Sequence, residues 1–292
     1  MIRGSIVALV TPFTDSGDVD FDGLKRLVDF QITAGTNAIV AVGTTGESAS
    51  LTHREDSEVI RAVVEYANGR VPIIAGAGSN STAEACKLTI AAEKAGADAI
   101  LSVAPYYNKP PQRGLIAHFK AVAENTELPI ILYNVPGRTV TDLSDDTTLT
   151  LAEIQNITGI KDATGDMARA QYLIKHRPEG FAVYSGDDPT ALELCLMGGD
   201  GDISVTANVA PGLMSNMVAA ALEGDRDLSN ELNDKLVSLH QHLFIESNPI
   251  PTKWVLAKMG LIRSDCRLPL VPLAKNFIKP VTEACAKAGI EL

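Results

Sequence analysis

Eight short β-rich runs, alternating with helical patterns over residues 1–224, predict an α/β protein: a (β/α)8, or TIM, barrel followed by a C-terminal helical subdomain over 225–292. Two further observations favour this class. The runs are mostly apolar on both faces, as in a parallel sheet covered by helices. The competing doubly wound sheet usually carries a phosphate-binding glycine fingerprint after its first strand, where this chain has Thr11-Pro12-Phe13-Thr14.

The elements follow in order. Ser5–Thr11 reads as the first strand and Asp22–Ala34 as the helix after it. Ala38–Val42 precedes Arg54–Tyr66, Pro72–Gly76 precedes Ser81–Ala95, and Ala99–Val103 precedes Gly114–Asn125. Pro129–Asn134 with Ser144–Glu153, Ile157–Lys161 with Met167–Lys175, Phe181–Ser185 with Pro189–Met197, and Gly201–Ser204 with Pro211–Leu222 complete the set. An internal echo marks the joints: Ala34-Gly35, Ala95-Gly96 and Gly198-Gly199 each end a helix on glycine and lead into a strand. Ser81-Thr82-Ala83-Glu84 has the spacing of a capping box at the third helix start. After Gly224-Asp225, helical patterns over Leu228–Leu243, Pro251–Met259 and Ala274–Ala288 form a segment too short for an independent domain.

Composition excludes several classes of function. The 292 residues are 46% hydrophobic and 21% charged, an ordinary globular balance. A net charge of -11 argues against nucleic acid or an anionic membrane as the main partner. No apolar run reaches the length of a membrane span, and the start, Met1 to Ile6, enters a strand without a signal-peptide layout. Cys86, Cys195, Cys266 and Cys285 are far apart and read as small core hydrophobes in a reducing compartment. The expectation is a soluble cytoplasmic protein.

In a barrel the chemistry sits where strands end and βα turns begin. Those ends supply Thr44 and Thr45, Tyr106 and Tyr107, Tyr133, Arg138, Lys161, and the turns Ser185-Gly186-Asp187-Asp188 and Ile203-Ser204-Val205-Thr206. Lys161 closes a β-rich run and is followed by a small polar turn, Asp162-Ala163-Thr164-Gly165. Burial disfavours an ammonium, and a neutral amine held on rigid backbone attacks carbonyls. A strand-end lysine is equally a solvated residue, and the tyrosines are equally packing aromatics. Their joint placement at converging strand ends selects the chemical reading. No cluster has metal-ligand spacing. Asp187, Asp188, Asp200 and Asp202, in the turns where many barrels hold phosphate, argue against phosphorylated ligands and pyridoxal phosphate. Imine chemistry on a keto acid remains, with Gly43-Thr44-Thr45-Gly46 offering backbone N–H groups to a carboxylate.

Gly43-Thr44-Thr45-Gly46-Glu47-Ser48, Pro105-Tyr106-Tyr107-Asn108, Tyr133-Asn134-Val135-Pro136-Gly137-Arg138-Thr139 and Gly159-Ile160-Lys161-Asp162-Ala163-Thr164-Gly165 resemble the dihydrodipicolinate synthase branch of the pyruvate-dependent class I aldolases, a family that also includes N-acetylneuraminate lyase. The resemblance covers nearly the whole chain, and Arg138 in its Pro-Gly-Arg-Thr setting separates this branch from the sugar-acid lyases. It implies that Lys161 forms a Schiff base with pyruvate, without cofactor or metal, and that Thr44 and Thr45 receive its carboxylate. Tyr133, Thr44 and Tyr107 would relay protons, Tyr107 entering from a neighbouring subunit. Arg138 would hold the carboxylate of L-aspartate 4-semialdehyde, and Gly186 and Ile203 would contribute backbone groups near the lysine. The implied reaction is a carbon–oxygen lyase step, the first committed to diaminopimelate and lysine, in a homotetramer built as a dimer of dimers. Feedback inhibition by L-lysine is implied at Ser48, Ala49, His53, Asn80, Glu84 and Tyr106. Asp56 departs from the histidine of some lysine-sensitive members, and Gly137 replaces a common serine. Two alternatives stand beside this: another pyruvate-dependent sugar-acid aldolase, which leaves Arg138 unexplained, and a catalytically silent barrel that senses a small molecule.

Overall fold

A computed structural model describes residues 1–292. Eight parallel strands close into a barrel in sequence order: β1 (Gly4–Ala8), β2 (Ala38–Ala41), β3 (Ile73–Gly76), β4 (Ala99–Val103), β5 (Ile130–Asn134), β6 (Ile157–Asp162), β7 (Ala182–Ser185) and β8 (Gly201–Ser204). β8 returns to β1 in the register Ser5↔Asp202 and Ile6↔Ile203. Alternation along each strand divides the apolar residues between two layers. Ile6, Ala8, Val40, Ile74, Leu101, Ile131, Tyr133, Tyr184 and Ile203 fill the barrel. Val7, Ile39, Ile73, Ile100, Leu132 and Ile160 face the surrounding helices. Each buried aliphatic side chain of this kind stabilises the fold by about 1.5–3 kcal/mol relative to exposure.

β1 ends earlier than the apolar run suggests. Leu9 N–H still bonds to Val40 O, but Val10 N–H goes to the side-chain oxygen of Asn208. Val10 therefore leaves the sheet for the β8 turn, and Thr11 bonds from Oγ1 to Gly46 O in the turn after β2. Gly35, Gly96 and Gly198 take positive φ after their helices, as the repeated joints imply. A single helical turn, Pro136–Thr139, carries Arg138 and was not legible as an element.

The C-terminal helices are Arg226–His242, Ile250–Lys258 and Lys275–Lys287. Their Leu236, Leu239, Leu243, Val255, Leu256, Val281 and Cys285 join the same outer cluster as the barrel helices, so the segment shares the barrel's core. All four cysteines are free. No helix is long and apolar enough to cross a membrane.

Candidate active site

A one-residue irregularity aims the lysine. Between β5 and β6 the register passes from Ile130↔Ile157 to Ile131↔Gly159, leaving Thr158 as an extra residue. Ile157 and Ile160, three apart, both face the outer layer. A strand of strict period two from Ile157 would turn Lys161 outward as well. The extra residue reverses the parity, and Lys161 stands beside Tyr133 on β5 and Tyr184 on β7 inside the barrel. Lys161 is 5% exposed, with its Nζ 4.4 Å from the centroid of the Tyr133 ring. On the other side lies Gly186, where a Cβ would come within 2.7 Å of Lys161 Cε and 2.8 Å of Ala163 Cβ. Gly186 gives its N–H to Asp162 O at 2.7 Å, which leaves its carbonyl for other partners.

Behind the lysine, Asp162 accepts from Thr164 Oγ1 at 2.6 Å and Asn134 Nδ2 at 3.1 Å. Burial lifts its carboxyl above the usual range against the pull of these bonds and of Arg169. Asp188 holds the β8 turn by accepting from Ser204 Oγ and from the N–H groups of Val205 and Thr206 at 3.1 and 3.0 Å. Asp200 pairs with Arg177 and Arg3, while Asp202 is fully buried. Asp188 and Asp200 are thus structural supports and Asp202 is buried without a hydrogen-bond partner, so three of the four aspartates read as repelling phosphate do not face solvent. Asp187 alone is partly exposed.

The turn after β2 is held in an uncommon conformation. Val42 has φ 58° and Glu47 φ 57°, a region costly for a β-branched residue. Gly76 makes room for it, since a Cβ there would meet Val42 O at 2.1 Å. Within the turn, the N–H groups of Gly46 and Glu47 bond to Gly43 O and Thr44 O. The N–H groups of Thr44 and Thr45 have no acceptor in the protein. Two adjacent free donors, in a turn whose Thr44 shares a cavity with Tyr133, form a receptor for a small carboxylate.

A cavity of 420 Å³ opens over these groups, walled by Thr44, Tyr133 and Arg138 and also by Ser48, Ala49, His53, Asp56, Glu84 and Tyr106. Its wall thus brings together three of the eight residues assigned to the catalytic and substrate site and five of the six assigned to the lysine site. Lys161, Thr45, Gly186 and Ile203 lie outside its wall, buried or partly buried. Asn80 is also off the wall, its carbonyl accepting from Asn108 Nδ2 at 2.8 Å. Tyr107 stands apart, 88% exposed at φ 75°. Glu84 does not cap its helix: Ser81 makes no side-chain cap bond. The Glu84 carboxylate instead accepts from Ser79 Oγ at 2.5 Å and lies 3.0 Å from His53 Nε2, so the capping-box reading gives way to a cavity-facing one.

Two groups escaped sequence reading, and a third, Asp56, is legible there only as a departure from a family histidine. Asn248 donates from Nδ2 to Thr45 Oγ1 at 2.9 Å. Lys253, fully buried, bonds to Glu47 Oε1 at 2.5 Å. Asp56, on the cavity wall, is pushed up to about 7 by burial. A lysine in the middle of the largely apolar stretch Ile250–Lys258 was the only signal for the second, and nothing local marked the first.

Comparison with known proteins accords with this geometry. The model of the dihydrodipicolinate synthetase family matches residues 1–288. A 4-hydroxy-tetrahydrodipicolinate synthase of Azoarcus is 57% identical over 291 residues, covering 100% of both chains. The dihydrodipicolinate synthase of Acinetobacter baumannii, solved in complex with pyruvate, superposes with TM-score 0.98 at 56% identity, covering 100% of each chain. That of Cyanidioschyzon merolae, solved with lysine bound, has TM-score 0.95 at 37% identity over 99% of each chain. The chain belongs to the dihydrodipicolinate synthetase family.

Proposed function

We propose that this chain is a 4-hydroxy-tetrahydrodipicolinate synthase that condenses pyruvate with L-aspartate 4-semialdehyde through an imine on Lys161. The observation that carries the reading is the pair of free N–H groups at Thr44 and Thr45, in a turn that shares its cavity with Tyr133, whose ring the buried Lys161 amine contacts. The pyruvate carboxylate rests on that turn, and Lys161 Nζ attacks the keto carbon. Loss of water gives the iminium, and loss of a C3 proton gives the enamine that adds to the aldehyde. Tyr133, in contact with Lys161, and Thr44 carry protons between these steps, joined by the partner subunit's Tyr107. Arg138, on the cavity wall, supplies a planar, permanently charged fork for the semialdehyde carboxylate. Gly186 keeps the lysine's path open, and Ile203, which faces the barrel interior, would contribute a backbone group to the same site. The organic electron sink is the imine itself, so the reaction needs no separate cofactor. In intact-mass measurements, pyruvate and borohydride should add one reduced pyruvyl group to the native chain and none to Lys161→Ala. Unmodified native protein would refute the reading.

The regulatory reading places L-lysine among Ser48, Ala49, His53, Asn80, Glu84 and Tyr106, where the Glu84 carboxylate suits an ammonium. Asp56 on the same wall ionises near neutrality, so its negative charge grows from pH 6 to pH 8 while lysine stays cationic. Lysine should therefore inhibit at lower concentration at pH 8 than at pH 6; equal inhibition at both would remove Asp56 from the site. The enzyme works as a dimer of dimers in the cytoplasm: Tyr107 is 88% exposed and so accessible to a neighbouring subunit, and sedimentation velocity on the full chain should read a tetramer. A monomer at assay concentration would rule out a tyrosine supplied by a partner.

A further inference from the structure

The strained turn that receives the carboxylate is anchored from outside the barrel. Thr11 Oγ1 donates to Gly46 O at 2.7 Å, Lys253 Nζ to Glu47 Oε1 at 2.5 Å, and Arg267 N–H to Glu47 Oε2 at 3.0 Å. Only one anchor reaches a group with a chemical part to play: Asn248 Nδ2, donating to Thr45 Oγ1 at 2.9 Å. Asn248 is 5% exposed, and no protein group reaches its own carbonyl oxygen. A buried amide with an unpartnered carbonyl weakens a fold, so stability does not explain its presence. The direction of the bond does. An amide N–H can only donate, so it occupies a lone pair on Thr45 Oγ1 and leaves the hydroxyl proton to point elsewhere. No protein acceptor takes that proton: Thr45 Oγ1 makes no other hydrogen bond within the chain.

We propose that Asn248, contributed by the C-terminal segment, is a positioning residue for substrate: its amide fixes the Thr45 hydroxyl as a donor toward the carboxylate bound on the Gly43–Ser48 turn. This rests on the reading that Thr45 receives the pyruvate carboxylate. The segment 225–292 is then part of the substrate site, and its placement sets the affinity for the keto acid rather than for the second substrate.

Steady-state kinetics on the full-length chain test this with Asn248→Leu, Asn248→Asp, Thr45→Val and the Asn248→Leu/Thr45→Val double variant. Loss of the donor in Asn248→Leu should raise the pyruvate KM about tenfold, the scale of one hydrogen bond that orders a donor to a charged group. Asn248→Asp should raise it further, because a carboxylate accepts the Thr45 proton and turns it away from substrate. The KM for the semialdehyde should stay unchanged in both. On the Thr45→Val background, where no hydroxyl remains, Asn248→Leu should change the pyruvate KM no further. An unaltered pyruvate KM in the Asn248 variants, with Thr45→Val still impaired, overturns the proposal alone. An unaltered KM in Thr45→Val overturns both the proposal and the reading beneath it. A full effect of Asn248→Leu persisting without the hydroxyl identifies a merely structural role and also overturns it. Asn248→Asp keeps the native side-chain shape, so the test survives a folding failure of the leucine variant.

Discussion

At the scale of single residues, the lysine's environment is set by what is missing beside it. Gly186 gives Lys161 its channel, since the Cβ of any other residue would stand 2.7 Å from Lys161 Cε and 3.0 Å from its Cγ. The same Cβ would also stand 2.8 Å from Ala163 Cβ, so it could not be accommodated without shifting the lysine or its neighbour. Gly186→Ala should therefore lower kcat by about 10²-fold, the usual cost of moving a reacting atom by an ångström. Borohydride trapping with pyruvate should slow in parallel while the far-ultraviolet circular dichroism stays native. Wild-type trapping kinetics in this variant would mean that the side chain finds another path. The identities of Lys161, Tyr133 and Arg138 were legible because each ends a strand or opens its turn. The space that Gly186 provides was not, because it depends on a neighbour in a different strand.

At the scale of elements, strand and helix order was readable from apolar runs and glycine joints, whereas the parity of β6 was not. The extra residue at Thr158 follows from how β5 and β6 pair, and no single-strand pattern specifies a pairing register. The turn after β2 shows the same limit. Gly43-Thr44-Thr45-Gly46 announces a tight turn, yet its left-handed residues are Val42 and Glu47, which flank it. Long-range partners must hold them there. Lys253 is the strongest: it is fully buried against an equally buried Glu47, bonds to Asp265 O at 2.7 Å, and lies 4.1 Å from the Phe13 ring centroid. Burial lowers its pKa and the Glu47 carboxylate opposes that shift, so the two charges depend on one another. Lys253→Met should destabilise the fold by about 3–5 kcal/mol, because it strands a buried carboxylate. Adding Glu47→Gln should restore a substantial part of that loss in denaturant unfolding. Simple additivity of the two losses would show that the pair is not coupled.

At the scale of the whole molecule, the barrel and residues 225–292 are fastened at one corner by Arg267. Its Nε donates to Gly17 O at 2.9 Å and its Nη1 to Ser50 O at 3.0 Å, so one side chain spans the turns after β1 and β2. Its Nη1 and Nη2 grip Glu55 at 3.0 and 2.5 Å, and Glu55 also closes a capping box with Thr52. The bidentate bond to Arg267 is the main reason that Glu55 titrates at about 2. Its folded pKa lies below its unfolded one, so the stabilisation is complete above the ordinary glutamate range and is lost as pH falls toward 2. Glu55→Gln keeps the capping geometry and removes only the charge. At pH 7 it should lower stability by about 1–2 kcal/mol, less than the full shift converts to because the pair is partly solvated. The deficit should shrink between pH 4.5 and pH 2, where the native carboxylate takes up its proton, and guanidinium-free thermal melts across that window would read it. A deficit that stays constant with pH would assign the grip to packing of the guanidinium on Phe13, whose ring centroid lies 4.5 Å away, rather than to charge. In either case the same arginine also donates its backbone N–H to Glu47, so loosening this corner should reach the carboxylate turn before it reaches the rest of the barrel.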